Sequence, residues 1–145
     1  HSDLVWKAIN VCEKFNKGFL KSVFLAALTG AGRGGNRALA ENLWHDLSIN
    51  PKYNDLIKDN TLNCCLLGSV VRGCHFDWVD SLLDNWIPPY NLICNAFRQA
   101  AEVGHLAMIH RLLPLNDFES HDRAYDQIIV GAAASGNIFL MEKAI

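Results

Sequence analysis

The chain predicts an all-α fold: stacked helix-turn-helix hairpins forming a short α-solenoid, closed at one end by an N-terminal capping helix. Three observations predict it. First, Asn95 to Leu113, NAFRQAAEVGHLAMIHRLL, reads as a helix ending in Ala100-Ala101, a reversal at Gly104-His105 and a second helix closing on Leu112-Leu113. Second, the pattern returns 32 residues later in Gln127 to Ile145, QIIVGAAASGNIFLMEKAI. There Ala132-Ala133 match the alanine pair, Gly136 matches Gly104, Leu140-Met141 match Met108-Ile109, and Ala144-Ile145 match Leu112-Leu113. A fixed period of that size is the signature of repeated helical hairpins. Third, apolar residues elsewhere recur at helical steps of three and four, not in alternation.

Taken in order, Asp3 to Lys17 places Leu4, Val5, Ile9, Cys12 and Phe15 at steps of one, four, three and three, which suits an amphipathic helix. Ser2 or Asp3 can cap it, and Gly18 supplies a stop. Residues 1–18 are therefore the capping helix, which covers the apolar face that a terminal hairpin would otherwise expose. The first hairpin, 19–48, has Ser22 to Leu28 as its first helix, with Ala26-Ala27 as its small pair, and Asn36 to Leu47 as its second. Between them Thr29 to Gly35 reads as a reversal longer than such a turn requires. Asn50 ahead of Pro51 then suits a cap followed by a first helical position, starting a short helix through Leu56-Ile57.

In the second hairpin, 61–87, Thr61 caps Leu62 to Val71, Arg72-Gly73-Cys74 turns the chain, and Phe76 to Asn85 returns with Trp78-Val79 and Leu82-Leu83. Pro88-Pro89 forbids its continuation. The third hairpin is 91–113, Pro114 to Arg123 is a polar connector, and the fourth hairpin is 121–145. The period is irregular: 39 residues from Leu43 to Leu82, 30 from Leu82 to Leu112 and 32 from Leu112 to Ala144. Alanine pairs let neighbouring helices approach closely, the larger apolar residues fill the space between hairpins, and glycine tolerates positive φ at a reversal.

The motif that Ala100-Ala101, Gly104-His105-Leu106, Ile109 and Leu112-Leu113 compose resembles the helical core of an ankyrin repeat. The likeness covers the last two hairpins most fully. The first two join it by aligning Ala26-Ala27 with Ala100-Ala101. The Thr-Pro-Leu-His opening of ankyrin first helices is replaced by Asn95 to Arg98 and by Gln127 to Val130, and the glycine- and aspartate-rich β-turn finger of ankyrins is not recognisable in Leu115 to Asp126. The resemblance implies a degenerate ankyrin-like module that binds another protein. Its style is similar to divergent ankyrin-like modules of large effector proteins from intracellular bacteria, which would place it in a host cytosol.

Composition bounds the function. The 145 residues are 50% hydrophobic, enough for an ordinary domain core. With 13 basic and 15 acidic side chains, net charge −2, there is no broad basic footprint for nucleic acid. No run of about 18 apolar residues suggests a membrane span, and no signal peptide is visible. His1-Ser2 looks like a cloning remnant and the chain stops inside a helical pattern, so it reads as a fragment of a longer protein. Five cysteines, Cys12, Cys64, Cys65, Cys74 and Cys94, form no disulfide framework and read as reduced, buried thiols of a cytoplasmic protein.

Several motifs invite chemistry. Gly30-Ala-Gly-Arg-Gly-Gly35 contains a formal GxGxxG after the apolar run Val23 to Leu28, which would suit a nucleotide- or phosphate-binding turn. The second strand and acidic residue of a dinucleotide-binding unit do not follow: Pro51 to Asp55 occupy that place. Cys74, His75 and His105 lack the paired spacing of a zinc site, and His105 and His110, five apart, do not share a helical face. Asp77, Asp80 and Asp84 read as the solvated side of a helix that buries Trp78 and Leu82. No Ser-His-Asp set or GxSxG is present. No enzyme, cofactor or metal is expected.

The partner-binding candidates are aromatic and polar residues outside the apolar slots. Trp86 and Tyr90 flank Pro88-Pro89, and Phe118, His121, Arg123 and Tyr125 lie in and beside the last connector. Aromatic and arginine side chains on loops are typical interface anchors. The alternative is that they fold back over their own helix ends. The expectation is a non-catalytic protein–protein interaction module that recruits or scaffolds a partner. The other readings are a nucleotide- or phosphate-binding domain built on Gly30 to Gly35, and a segment that braces a larger effector.

Overall fold

Helix covers nearly all of the computed structural model, which describes residues 2–15, 17–57, 61–86, 88–115 and 121–144, and no strand occurs among them. By contact the chain divides into two units, His1–Leu66 and Leu67–Ile145, so that the division falls inside a helix.

In the first unit α1, Ser2–Phe15, packs on α2, Lys17–Arg33, and α2 packs on α3, Arg37–Ile49. A tight turn over Pro51–Tyr53 and a short α4, Asn54–Ile57, follow. The ring of buried Tyr53 meets Phe24 edge-on, with centroids 5.3 Å apart. The second helix is longer than the sequence suggests. It passes through Gly18, expected as a stop, and through Gly30 and Gly32, expected in a loop. The reason is burial. Leu20, Phe24, Leu28 and Ala31 fall at steps of four, four and three and are all buried, giving one unbroken apolar stripe. Such burial outweighs the helix penalty of about 1 kcal/mol per glycine.

The reversal after α2 is therefore short. Gly35 takes φ +68°, its N–H donates to Gly32 O at 3.4 Å, and Asn36 N–H donates to Ala31 O at 2.9 Å. This is a Schellman close, which satisfies carbonyls left open at a helix end. Asn36 Oδ1 in turn accepts from Leu39 N–H at 3.1 Å and caps α3. The small pair in register with Ala100-Ala101 is thus Ala31-Gly32, not Ala26-Ala27: both pairs supply the two carbonyls that close the turn.

The second unit contains the end of α5, Thr61–Arg72, then α6, Phe76–Asn85, α7, Tyr90–Glu102, α8, Leu106–Leu112, α9, His121–Ser135, and α10, Ile138–Ala144. Its three reversals repeat the hydrogen bonds of the first. His75, His105 and Asn137 donate to Val70, Ala100 and Ala132 at 3.2, 2.9 and 2.8 Å, and the positive-φ residues are Cys74, Gly104 and Gly136. Asn137 repeats the cap of Asn36, accepting from Leu140 N–H at 3.1 Å. The second reversal departs from expectation, because the left-handed position falls on Cys74 and not on Gly73.

A left-handed conformation costs a non-glycine residue about 1–2 kcal/mol, partly offset by the extra freedom glycine loses on folding. Cys74→Gly is therefore expected to stabilise the protein by about 0.5–1 kcal/mol. A rise in the urea midpoint at unchanged slope would meet the expectation, and a fall would show that the half-buried Cys74 side chain contributes more than the strain costs.

Within this unit neighbouring helices touch through small residues. A Cβ placed on Gly68 would lie 2.9 Å from Asn95 Nδ2, and one on Gly131 would lie 2.5 Å from Arg98 O, so α7 runs close to both α5 and α9. Ser135 Oγ donates to Ala101 O at 3.4 Å across the α7–α9 contact. The reversals also meet: the rings of Phe76 and His105 are 5.1 Å apart, and a Cβ on Gly104 would lie 2.8 Å from Asn137 Nδ2. Phe97, Ala100, Ala101, Met108, Leu112 and Ala132 are fully buried. The connector is shorter than Pro114 to Arg123. Leu113–Leu115 makes a tight turn after α8, and α9 already includes His121 to Arg123.

Candidate functional site

The candidate site is an open groove of about 350 Å³ in the second unit, bounded by α8, α9 and α10. From α8 come Leu106, Ile109 and His110, and Leu113 follows it; α9 supplies Tyr125 and Ile128; α10 supplies Leu140 and Lys143. Helix geometry explains the selection. Leu106, Ile109 and Leu113 are spaced three and four apart, Tyr125 and Ile128 three apart, and Leu140 and Lys143 three apart, so each set shares a face. Ile109, Ile128 and Leu140 form a buried floor, while Leu106 and Tyr125 remain 36% and 39% exposed at the edge. Ile138 and Phe139, on the same short α10, are 69% and 58% exposed, and Lys143 Nζ lies 5.8 Å from the Phe139 ring centroid. An apolar floor with an aromatic hydroxyl and an ammonium at its rim suits non-covalent recognition.

Of the expected partner-binding residues, the structure brings Tyr125 to the groove. Arg123 is exposed but stands two residues away on the same helix, about 200° around its axis, and so points elsewhere. Trp86 is half-buried immediately after α6. Tyr90 begins α7 and His121 begins α9, both positions on helices and not on loops; their side chains lie outside the described residues, as does Phe118 altogether. The sequence reading missed Leu106, His110 and Lys143. Each is an ordinary member of a helical pattern in the sequence, and only the placement of α8, α9 and α10 around one groove brings them together.

The glycine motif is placed differently from a dinucleotide turn. Gly30 and Gly32 lie within α2 and Gly34-Gly35 close its C-terminal end, following helix and not strand. Phosphate-cradling turns use the free N–H groups of a helix N-terminus, whereas the carbonyls here meet the Gly34, Gly35 and Asn36 N–H groups.

Among the described residues no group of three or more His, Cys, Asp or Glu side chains is arranged to hold a metal ion. Asp80 accepts from Arg111 Nε at 2.6 Å, which with its charge raises the arginine pKa further above its already high value; Asp77 and Asp84 are exposed. His105 packs its ring on Phe76, and its Nδ1 is buried without a partner. None of the five cysteines is in a disulfide, and burial pushes the Cys74 thiol above its ordinary pKa, away from thiolate chemistry. Among the described residues no helix is long and apolar enough to cross a membrane. No known protein-family model, curated protein or solved structure matches this chain.

Proposed function

We propose that the chain is a non-catalytic protein-interaction module of ankyrin-like α-solenoid type, and that the groove between α8, α9 and α10 receives the partner. The observation that carries this reading is the groove itself: a buried aliphatic floor open to solvent, with Leu106 and Tyr125 exposed at its edge. An open groove lined mainly by apolar side chains, with a few polar groups at its rim, is a characteristic form of binding site.

The solenoid reading draws support from the four reversals with one hydrogen-bond pattern and from the close approach of α7 to α9 at Gly131. Its role would be to recruit or scaffold a partner for a larger protein, within a cytosol where the five thiols stay reduced.

The test is affinity capture from eukaryotic cytosolic extract, read by mass spectrometry, with Leu106→Ala/Tyr125→Ala as control. Both residues are partly exposed, so the fold is expected to survive, as circular dichroism would check. A protein retained by the wild type and lost by the folded double variant supports the reading. Retention by both would place the binding surface elsewhere, and no retained protein would favour the bracing role.

A further inference from the structure

We infer that the groove selects a peptide segment of its partner in which apolar side chains stand beside a carboxylate; this rests on the interaction-module reading above. Among the described residues the lining includes no acidic side chain. Its nitrogen bases are His110, on α8, and Lys143, on α10, both exposed.

Among the described residues the nearby charges leave that character intact. On α8, Arg111 is engaged with Asp80 of α6. On α9, exposed Asp126 lies about 100° around the helix from Tyr125 and about 160° from Ile128, and exposed Arg123 lies about 160° from Tyr125 and about 140° from Ile128. On α10, Glu142 lies about 200° from Leu140. Lys143 lines the groove, and its Nζ lies 5.8 Å from the Phe139 ring centroid, within cation–π range. An apolar segment that covered the floor would exclude water from this ammonium, so a carboxylate at that point strengthens binding and a second cation opposes it. The floor would take the apolar side chains and the rim would read the charge.

The probe is a displayed library of random peptides, selected on the intact chain and on Lys143→Glu, with Tyr125→Ala as the groove variant. The expected result is that wild-type protein enriches apolar residues next to Asp or Glu. Lys143→Glu should enrich Lys or Arg at that place instead. The best wild-type peptide, followed by fluorescence anisotropy, should bind Lys143→Glu about tenfold more weakly and should lose binding to Tyr125→Ala. Apolar peptides that show no acidic preference, bind wild type and Lys143→Glu equally and are lost on Tyr125→Ala would overturn the carboxylate inference while leaving the groove as the docking site. Peptides indifferent to Tyr125→Ala, or no enrichment at all, would overturn both.

Discussion

Gly131→Ala is expected to destabilise the protein, although alanine is the better helix former. A Cβ at this buried position would sit 2.5 Å from Arg98 O, 2.9 Å from Ala101 Cβ and 3.1 Å from Glu102 N. Two of those atoms are backbone, so relief cannot come from a rotamer change and α7 and α9 must move apart. That separation would loosen the packing of Ala100, Ala101 and Ala132, all fully buried. Overpacking of this kind costs about 1–3 kcal/mol or more, and the helix-propensity gain of about 1 kcal/mol offsets only part of it. The expected net loss is about 1–2 kcal/mol, read as a lower urea midpoint and a melting temperature several degrees lower. Gly30→Ala is the matched control. It also lies inside a helix, but its Cβ would meet nothing within 4 Å, so propensity alone should act and stability should rise by up to about 1 kcal/mol. Opposite signs at the two glycines would establish close helix approach as the cause. Loss of stability at both would sink the argument.

The same contrast shows why some of this fold could be read from the sequence and some could not. The reversals at Gly104 and Gly136 were legible because alanine pairs and a following His or Asn signal the same Schellman close. The helix from Phe76 to Asn85 was legible to the residue, with a turn before it and Pro88-Pro89 after it. The end of α2 was not. Glycine ordinarily marks a break, and only the burial of Leu28 and Ala31 explains why the helix continues past Gly30 to Arg33. Nor was Cys74 legible as a left-handed residue, since a neighbouring glycine offered the cheaper choice. The groove was the least legible feature. Tyr125 is legible as an aromatic near a connector, but Leu106 and Lys143, 37 residues apart, line one groove only through the folding of α8, α9 and α10. Arg123 lies beside Tyr125 in the sequence, and the helix that contains both turns them apart.

Breaking the charged cluster at Glu102 is expected to be the other large effect. This carboxylate, with a side chain only 16% exposed, accepts from Arg72 of α5 through Oε2 and from Arg98 Nε through Oε1 at 3.1 Å. Arg72 Nη1 also donates to Gln99 Oε1 at 3.0 Å, so one guanidinium ties α5 to two residues of α7. The two ion pairs differ in weight. Arg98 is 47% exposed and follows helical spacing, which limits its pair to about 0.3–0.5 kcal/mol. Arg72 is 31% exposed and bridges elements 30 residues apart, and its removal leaves a largely buried carboxylate with one partner fewer. Arg72→Ala is therefore expected to cost about 2 kcal/mol, including the packing of its aliphatic stem, against a few tenths for Arg98→Ala. Removing both members should cost less than the sum of the single losses, because each single change leaves the remaining charge short of a partner. A double-mutant cycle of Arg72→Ala with Glu102→Ala, followed by urea denaturation, should give a coupling of about 1 kcal/mol or more. A coupling near zero would mean that α5 and α7 are held by the close approach at Gly68 and its apolar surroundings, with the ion pair an onlooker.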